Sequence, residues 1–284
     1  MIRTTHSVLA VGDLAFDVWQ AGDREGPAVL MLHGFPQDHS CWDGWKESLV
    51  ERGFRVILPD QRGYSPGARP PKASAYRLGE LVKDALALLD ALGVAQVHVI
   101  GHDWGGAVAW GLASRHPDRL HTLTVLSTPH PRALLHSLTR SRQLAMSWYM
   151  GVLQWPALAY RLLSPSGPGW PHLMRGLPEA ARQRYATRAS DPRAFAAMIC
   201  WYRAMVLDAI RPSIRWGPIV VPTMYAWGMR DPALGVVAAE ATRAEVVGQY
   251  EFIALPRQGH WLAERAGAEL MSRVLDHLQG VGPH

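Results

Sequence analysis

"VHVIGHDWGG", residues 97–106, is a short apolar run that stops at a glycine, carries a single acid, Asp103, and closes on two further glycines. The first half suits a buried strand, and "WGGAVAWGLASRHP" (104–117) suits a helix ended by Pro117. Glycines at 101, 105 and 106 let the chain turn sharply between them, and the helix N-terminus beyond favours negative charge on Asp103.

The same alternation extends outward in both directions. Upstream, "LAFDVWQAG", "PAVLMLHG" and "FRVILPD" read as strands, "CWDGWKESLVERG" as a helix stopped by Gly53, and "LGELVKDALALLDALG" as an amphipathic helix stopped by Gly93. Downstream, "LHTLTVLS" is a strand, then "VPTMYAWG" and "YEFIALP", followed by one helix over "WLAERAGAELMSRVLDHLQG". Strands alternating with helices predict an α/β fold with a mostly parallel sheet. From about Pro129 to Trp216 the pattern lapses into Arg-, Trp- and Met-rich helical text broken at Pro156, Pro165, Pro168, Pro171 and Pro178. The reading is one sheet domain, residues 1–128 and 217–284, interrupted by a helical insertion at 129–216. An insertion of that length is usually a functional lid.

Composition excludes several classes. The chain has 284 residues and a formal charge of +5, but the 29 basic residues, only Lys46, Lys72 and Lys83 of them lysines, are scattered, so no nucleic-acid surface is expected. Cys41 and Cys200 are too few for a metal cluster or a disulfide framework, and a reducing, cytoplasmic setting is the default. The N-terminal thirty residues lack a signal peptide's core, and no apolar run is long enough to span a membrane.

Asp103 has two readings. A helix N-cap is the plain one. The other is a nucleophile on a strand-to-helix turn, where G-x-S-x-G sets a serine and this chain sets a carboxylate. A nucleophile needs a base, an acid to orient that base, and donors for the oxyanion, in the chain order nucleophile, acid, histidine. His260 in "RQGHWLAE" follows the last strand and suits the base, one histidine among 13. Asp231 in "WGMRDPAL" suits the acid, although Asp before Pro is also a common turn former. "LHGFPQD" (32–38) follows the third strand and offers the Phe35 amide beside that of Trp104; Gly34 permits close approach and Pro36 pins the loop, with Phe35-Pro36 a candidate cis bond.

Taken together, "HGFP", "PDQRGYSPG", "GHDWGG", "STPHP", "WGMRDPAL" and "GHW" resemble, in this order, the soluble epoxide hydrolases of the α/β-hydrolase superfamily, over about residues 10 to 279. The resemblance implies the α/β-hydrolase fold, with helices on both sheet faces and a helical cap. It implies two lid tyrosines aimed at the nucleophile, and "SWYMGVLQWP" and "ICWYRAM" nominate Tyr149 and Tyr202; Tyr160 and Tyr185 match less well. Phe35, Trp104, Met150 and the two tyrosines would line a greasy substrate site, in a lid also rich in Trp148, Leu153, Trp155, Met198 and Met205.

The implied reaction converts a small apolar epoxide and water to a vicinal diol. A serine attacking saturated carbon would end as a stable ether, whereas an aspartate forms an ester that water cleaves. No cofactor or metal is needed, and no membrane partner is implied; the chain is expected as a monomer or homodimer, without room for the phosphatase domain of mammalian relatives or a membrane anchor. Dehalogenases share the aspartate and remain the alternative. Fluoroacetate enzymes usually carry Arg where this chain has Trp104, while haloalkane enzymes use a Trp there. A leaving halide needs no proton, but an epoxide oxygen does, which the paired tyrosines supply.

Overall fold

In a computed structural model describing residues 2–265 and 267–280, eight strands form one sheet: β1 (Thr4–Val11), β2 (Leu14–Ala21), β3 (Ala28–Leu32), β4 (Arg55–Pro59), β5 (Val97–His102), β6 (Leu120–Leu126), β7 (Thr223–Gly228) and β8 (Tyr250–Leu255). Their order across the sheet is β1-β2-β4-β3-β5-β6-β7-β8. The β1–β2 and β2–β4 pairs are antiparallel, and all the others are parallel. This is the α/β-hydrolase arrangement that the sequence motifs led us to expect.

The burial of each strand explains its composition. Every residue of β3, β4, β5 and β7 is buried although successive side chains point to opposite faces, so both faces of the central sheet are covered. That is why these strands read as unbroken apolar runs. β1, at the edge, instead alternates exposed and half-buried positions.

The helices of the sheet region are α1 (Asp43–Glu51), α2 (Leu78–Ala91) and α3 (Trp104–Arg115). α3 packs on β3, β5 and β6, and α1 on β4. Arg62, in the loop after β4, forms a two-pronged ion pair with Asp84 of α2, Nε to Oδ2 at 2.6 Å and Nη2 to Oδ1 at 2.5 Å, both side chains buried. Such a fork fixes the loop against the helix with directional bonds.

Residues 131–210 contain no strand and seven helices: α4 (Pro131–Ser137), α5 (Gln143–Met146), α6 (Trp148–Val152), α7 (Pro156–Leu163), α8 (Trp170–Leu173), α9 (Glu179–Ala189) and α10 (Pro192–Ile210). The prolines in this region fall at the breaks between helices, as the sequence suggests. Pro156 and Pro171 lie in the first turn of α7 and α8, and Pro178 caps α9, so each marks its break by opening the helix that follows. The missing N–H costs nothing at a position with no intrahelical acceptor. α10 is the long member, and its Phe195, Met198, Trp201 and Tyr202 are buried.

After β7 come α11 (Val236–Ala241), α12 (Leu262–Arg265) and α13 (Ala268–Gln279). The single terminal helix expected from the sequence is thus two, with Gly267 as N-cap of the second. Cys41 and Cys200 are both buried free thiols. Among the described residues no helix is long and apolar enough to cross a membrane.

Candidate active site

Four strands end at one place. Asp103 follows β5 directly, Phe35 follows β3, Asp231 follows β7 and His260 follows β8. Loops beyond the carboxyl ends of parallel strands converge in this way in open α/β sheets.

Asp103 has φ +51° and ψ −122°, a conformation that non-glycine residues rarely adopt. Its backbone is held by the Thr128 hydroxyl, which donates to the Asp103 carbonyl at 2.7 Å. Although it occupies the N-cap position of α3, its side chain caps nothing. Oδ1 instead accepts the Phe35 N–H at 2.8 Å, and Oδ2 lies 3.5 Å from His260 Nε2. The N-cap reading of this acid is therefore set aside by its own geometry. Gly34 makes the approach possible, because a Cβ there would lie 2.3 Å from the Cβ of Asp103. The Phe35-Pro36 peptide is cis.

Asp231 satisfies both of its sequence readings, one oxygen each. Oδ1 accepts from the Ala233 and Leu234 amides at 2.7 and 3.0 Å, as a turn former does, while Oδ2 faces His260 Nδ1 at 2.8 Å. The His260 backbone is pinned as well, since its carbonyl accepts from the Ser127 hydroxyl at 2.6 Å and meets His102 Nε2 at 2.8 Å.

The charges support one another. Burial opposes ionisation of Asp103, yet the bond and attraction of His260, with help from the Phe35 amide, hold its carboxyl below the usual range. Burial likewise opposes a charged His260, but the Asp231 and Asp103 carboxylates raise it well above an ordinary histidine.

Tyr149 of α6 and Tyr202 of α10 come together above Asp103, their ring centroids 6.0 Å apart. Tyr202 sits edge-on to Phe35 at 5.4 Å and to Trp104 at 5.1 Å. Burial first, and then the nearby Asp103 charge, push both phenols upward, so both stay protonated at neutral pH. Met150, next to Tyr149 in α6, packs half-buried against the hydrophobic core. Trp148 packs edge-on against Tyr149 but is 50% exposed, and Trp155 is 68% exposed. Tyr160 donates outward to the Ser190 carbonyl, and Tyr185 donates to Glu264. The Trp104 amide, in the first turn of α3, has no acceptor within the helix.

Sequence reasoning missed Gln37, His102 and Glu264, which form a buried polar cluster beneath the site. Gln37 and His102 lie inside the quoted motifs, but nothing in their spacing reveals that they meet. No group of three or more His, Cys, Asp or Glu among the described residues is arranged to hold a metal.

Comparison with known proteins identifies the family. The family model for the α/β-hydrolase fold matches residues 27–155. The chain is 32% identical over 280 residues to the AB hydrolase superfamily protein YfhM of Bacillus subtilis (strain 168), covering 94% of this chain and 95% of that one. Epoxide hydrolase 4 of Homo sapiens is 30% identical over 277 residues, covering 92% of this chain and 75% of its own. A solved structure described as one of the novel epoxide hydrolases from metagenomes of hot environments matches with a TM-score of 0.84 at 26% identity, covering 97% of this chain and 99% of that one. A shared fold and relatives similar along nearly the whole chain lead to one assignment: the chain belongs to the epoxide hydrolase family of the α/β-hydrolase superfamily.

Proposed function

We propose that the protein converts an apolar epoxide to a vicinal diol through a covalent ester on Asp103. The observation that carries this reading is the division of labour at that carboxylate: Oδ1 is taken by the Phe35 amide, and Oδ2 stands free of the backbone beneath two protonated phenols. The helical segment between β6 and β7 acts as the cap that brings those phenols.

In the first step Oδ2 attacks one ring carbon, the C–O bond of the epoxide breaks, and the leaving alkoxide takes a proton from Tyr149 or Tyr202. Asp103 is now a neutral ester. One of the two carboxylates that raise His260 has therefore lost its charge, so the imidazole gives up its proton more readily when a base is needed. In the second step neutral His260, oriented by Asp231, takes a proton from water, whose oxygen adds to the Asp103 carbonyl carbon. The oxyanion forms at Oδ1, where the Phe35 amide already points and the Trp104 amide is available. Collapse breaks the Cγ–Oδ2 bond, the departing diol oxygen takes the water proton back from His260, and the carboxyl group left behind gives its proton to the imidazole; the tyrosinate left by alkylation takes the proton His260 gave up after that step, so the resting state returns.

The chain's relatives include proteins named epoxide hydrolases, which supports the substrate class. A dehalogenase reading uses the same aspartate, with the Trp104 indole as a donor to halide; the two buried phenols favour the epoxide, since halide departure requires no proton. A single turnover of styrene oxide in oxygen-18 water tests the route. Label should appear in the Asp103 carboxylate and not in the first diol, whereas first-turnover diol carrying the label would contradict the ester.

A further inference from the structure

The polar cluster beneath the site has no part in the cycle above. Gln37 is its centre. Its Oε1 accepts the Gly34 N–H at 2.9 Å and faces His102 Nδ1 at 2.8 Å, while its Nε2 donates to Glu264 Oε1 at 2.8 Å. The Tyr185 hydroxyl of α9 donates to that same Oε1 at 2.8 Å. His102 Nε2 meets the His260 carbonyl. The other oxygen of Glu264, Oε2, is buried with no hydrogen-bond partner among the described residues.

Glu264 therefore reaches all three parts of the machinery within a few bonds. Gly34 precedes the Phe35 amide, His102 precedes Asp103, and Glu264 itself lies four residues beyond His260. The segment carrying it is also strapped to the helical region above: Trp261 Nε1 donates to the Arg175 carbonyl at 2.9 Å, and Arg265 donates to that of Gly176.

We propose that Glu264 is a positioning residue for the ester-hydrolysis step, holding α9, the Phe35 loop and the His260 segment in one spacing through its shared Oε1. The proposal rests on the epoxide hydrolase reading. During alkylation the His260–Asp103 attraction helps fix that spacing; once Asp103 is an ester the attraction is gone, and the cluster carries a larger share of it beside the Asp231 and Ser127 bonds to His260.

The state of its proton matters. An ionised Glu264 accepts from Gln37 Nε2, which leaves Oε1 of Gln37 turned toward Gly34 and His102. A protonated Glu264 carries an O–H with no acceptor on its Oε2 side. Turning the Gln37 amide supplies an acceptor but withdraws one from the Gly34 N–H, loosening the loop that holds Phe35. Burial pushes Glu264 up to about 7, against the bonds from Gln37 and Tyr185 and the attraction of His260. Tyr185 from α9, and Cys41 and Asp38 from the turn beyond Gln37, are the remaining titratable groups coupled to this cluster. Burial holds the His102 ring down to about 4, so it stays neutral across this range.

The test uses the full-length protein with styrene oxide as probe and follows alkylation and ester hydrolysis separately in single turnovers. E264A and Y185F should slow ester hydrolysis by about tenfold or more, the scale on which misplaced groups lose rate, with alkylation unchanged. E264Q, which keeps the shape and an acceptor, should restore much of the neutral-pH rate but lose the bend near pH 7 in the hydrolysis profile, leaving only the His260 limb. Should E264A fail to fold, E264Q and Y185F decide the matter. Wild-type hydrolysis rates and an unchanged profile in those two would overturn the proposal, as would equal losses in both steps. If the wild-type protein forms no ester on Asp103, the epoxide reading itself fails; if the ester forms and the variants hydrolyse it normally, only the role of Glu264 fails.

Discussion

His260 Nε2 stands 3.5 Å from Asp103 Oδ2, whereas its Nδ1 stands 2.8 Å from Asp231 Oδ2. The longer distance leaves the nucleophile oxygen to the substrate, and the shorter one fixes the ring. The first half-reaction should accordingly survive loss of the imidazole while the second should not. H260Q is expected to react with styrene oxide once and stop, lowering turnover by about 10³-fold or more. Intact-protein mass spectrometry should show a stable adduct on Asp103, and a turning-over H260Q without adduct would contradict the scheme.

The two phenols separate epoxide from halide chemistry. Y149F or Y202F alone should slow alkylation by about 10- to 100-fold and the double variant by about 10²- to 10⁴-fold, the range general acids supply. Stopped-flow rates with styrene oxide and with a bromoalkane provide the comparison. Bromoalkane turnover that persists in the double variant while epoxide turnover never occurs in the parent would favour the dehalogenase.

The two steps should differ in pH dependence. Asp103 is held below the ordinary carboxylate range, so alkylation should remain nearly flat as pH falls to about 5. Ester hydrolysis needs His260 neutral and should decline over the same interval. The linkage for stability follows the same signs. The raised His260 stabilises the fold below its unfolded value, about 6.5, and that contribution is lost as pH rises through its higher folded value. The lowered Asp103 contributes above about 3.9 and loses its contribution as pH falls through its lower folded value. Rapid-quench measurements across pH, paired with thermal melts of H260Q, check both.

Gly34→Ala places a methyl group 2.3 Å from the Asp103 Cβ. The carboxylate must move, and a displacement near 1 Å costs about 10²-fold in rate. The variant should fold, bind an epoxide poorly and turn it over slowly; parental kinetics would show that the loop yields freely.

Asp84→Ala tests the scaffold and not the chemistry. It strands the buried Arg62 guanidinium, and breaking such a pair costs about 3–5 kcal/mol. Urea unfolding should register the loss, and a change below about 1 kcal/mol would mean that water reaches Arg62.

How far the sequence reveals this protein depends on range. Val97–His102 and the strands β3, β4 and β7 are legible because burial on both faces removes the polar alternation that makes short strands ambiguous. Asp103, Asp231, His260 and Phe35 are legible because each follows a strand end, and the sheet brings those ends together whatever lies between. The breaks at Pro156, Pro171 and Pro178 are legible because proline is excluded from a helix interior and suited to a helix start. Which of Trp148, Leu153, Trp155, Met198 and Met205 face inward is not legible, because apolar character does not say which side of a short helix is buried; Trp148 and Trp155 prove largely exposed. Glu264 and Gln37 lie 227 positions apart, and only the folded chain makes them neighbours.

The seven helices between β6 and β7 are mostly brief, several of them individually started by proline, while the carboxylates, the imidazole and the Phe35 amide hang from the sheet below. Much of that helical text can vary while the sheet-borne groups keep their alignment, provided Tyr149, Tyr202 and the Tyr185 contact to Glu264 are kept. Reshaping this enzyme for bulkier or chiral oxiranes therefore starts at half-buried Met150, because fully buried Leu153 and the packed face of α10 have no slack to give.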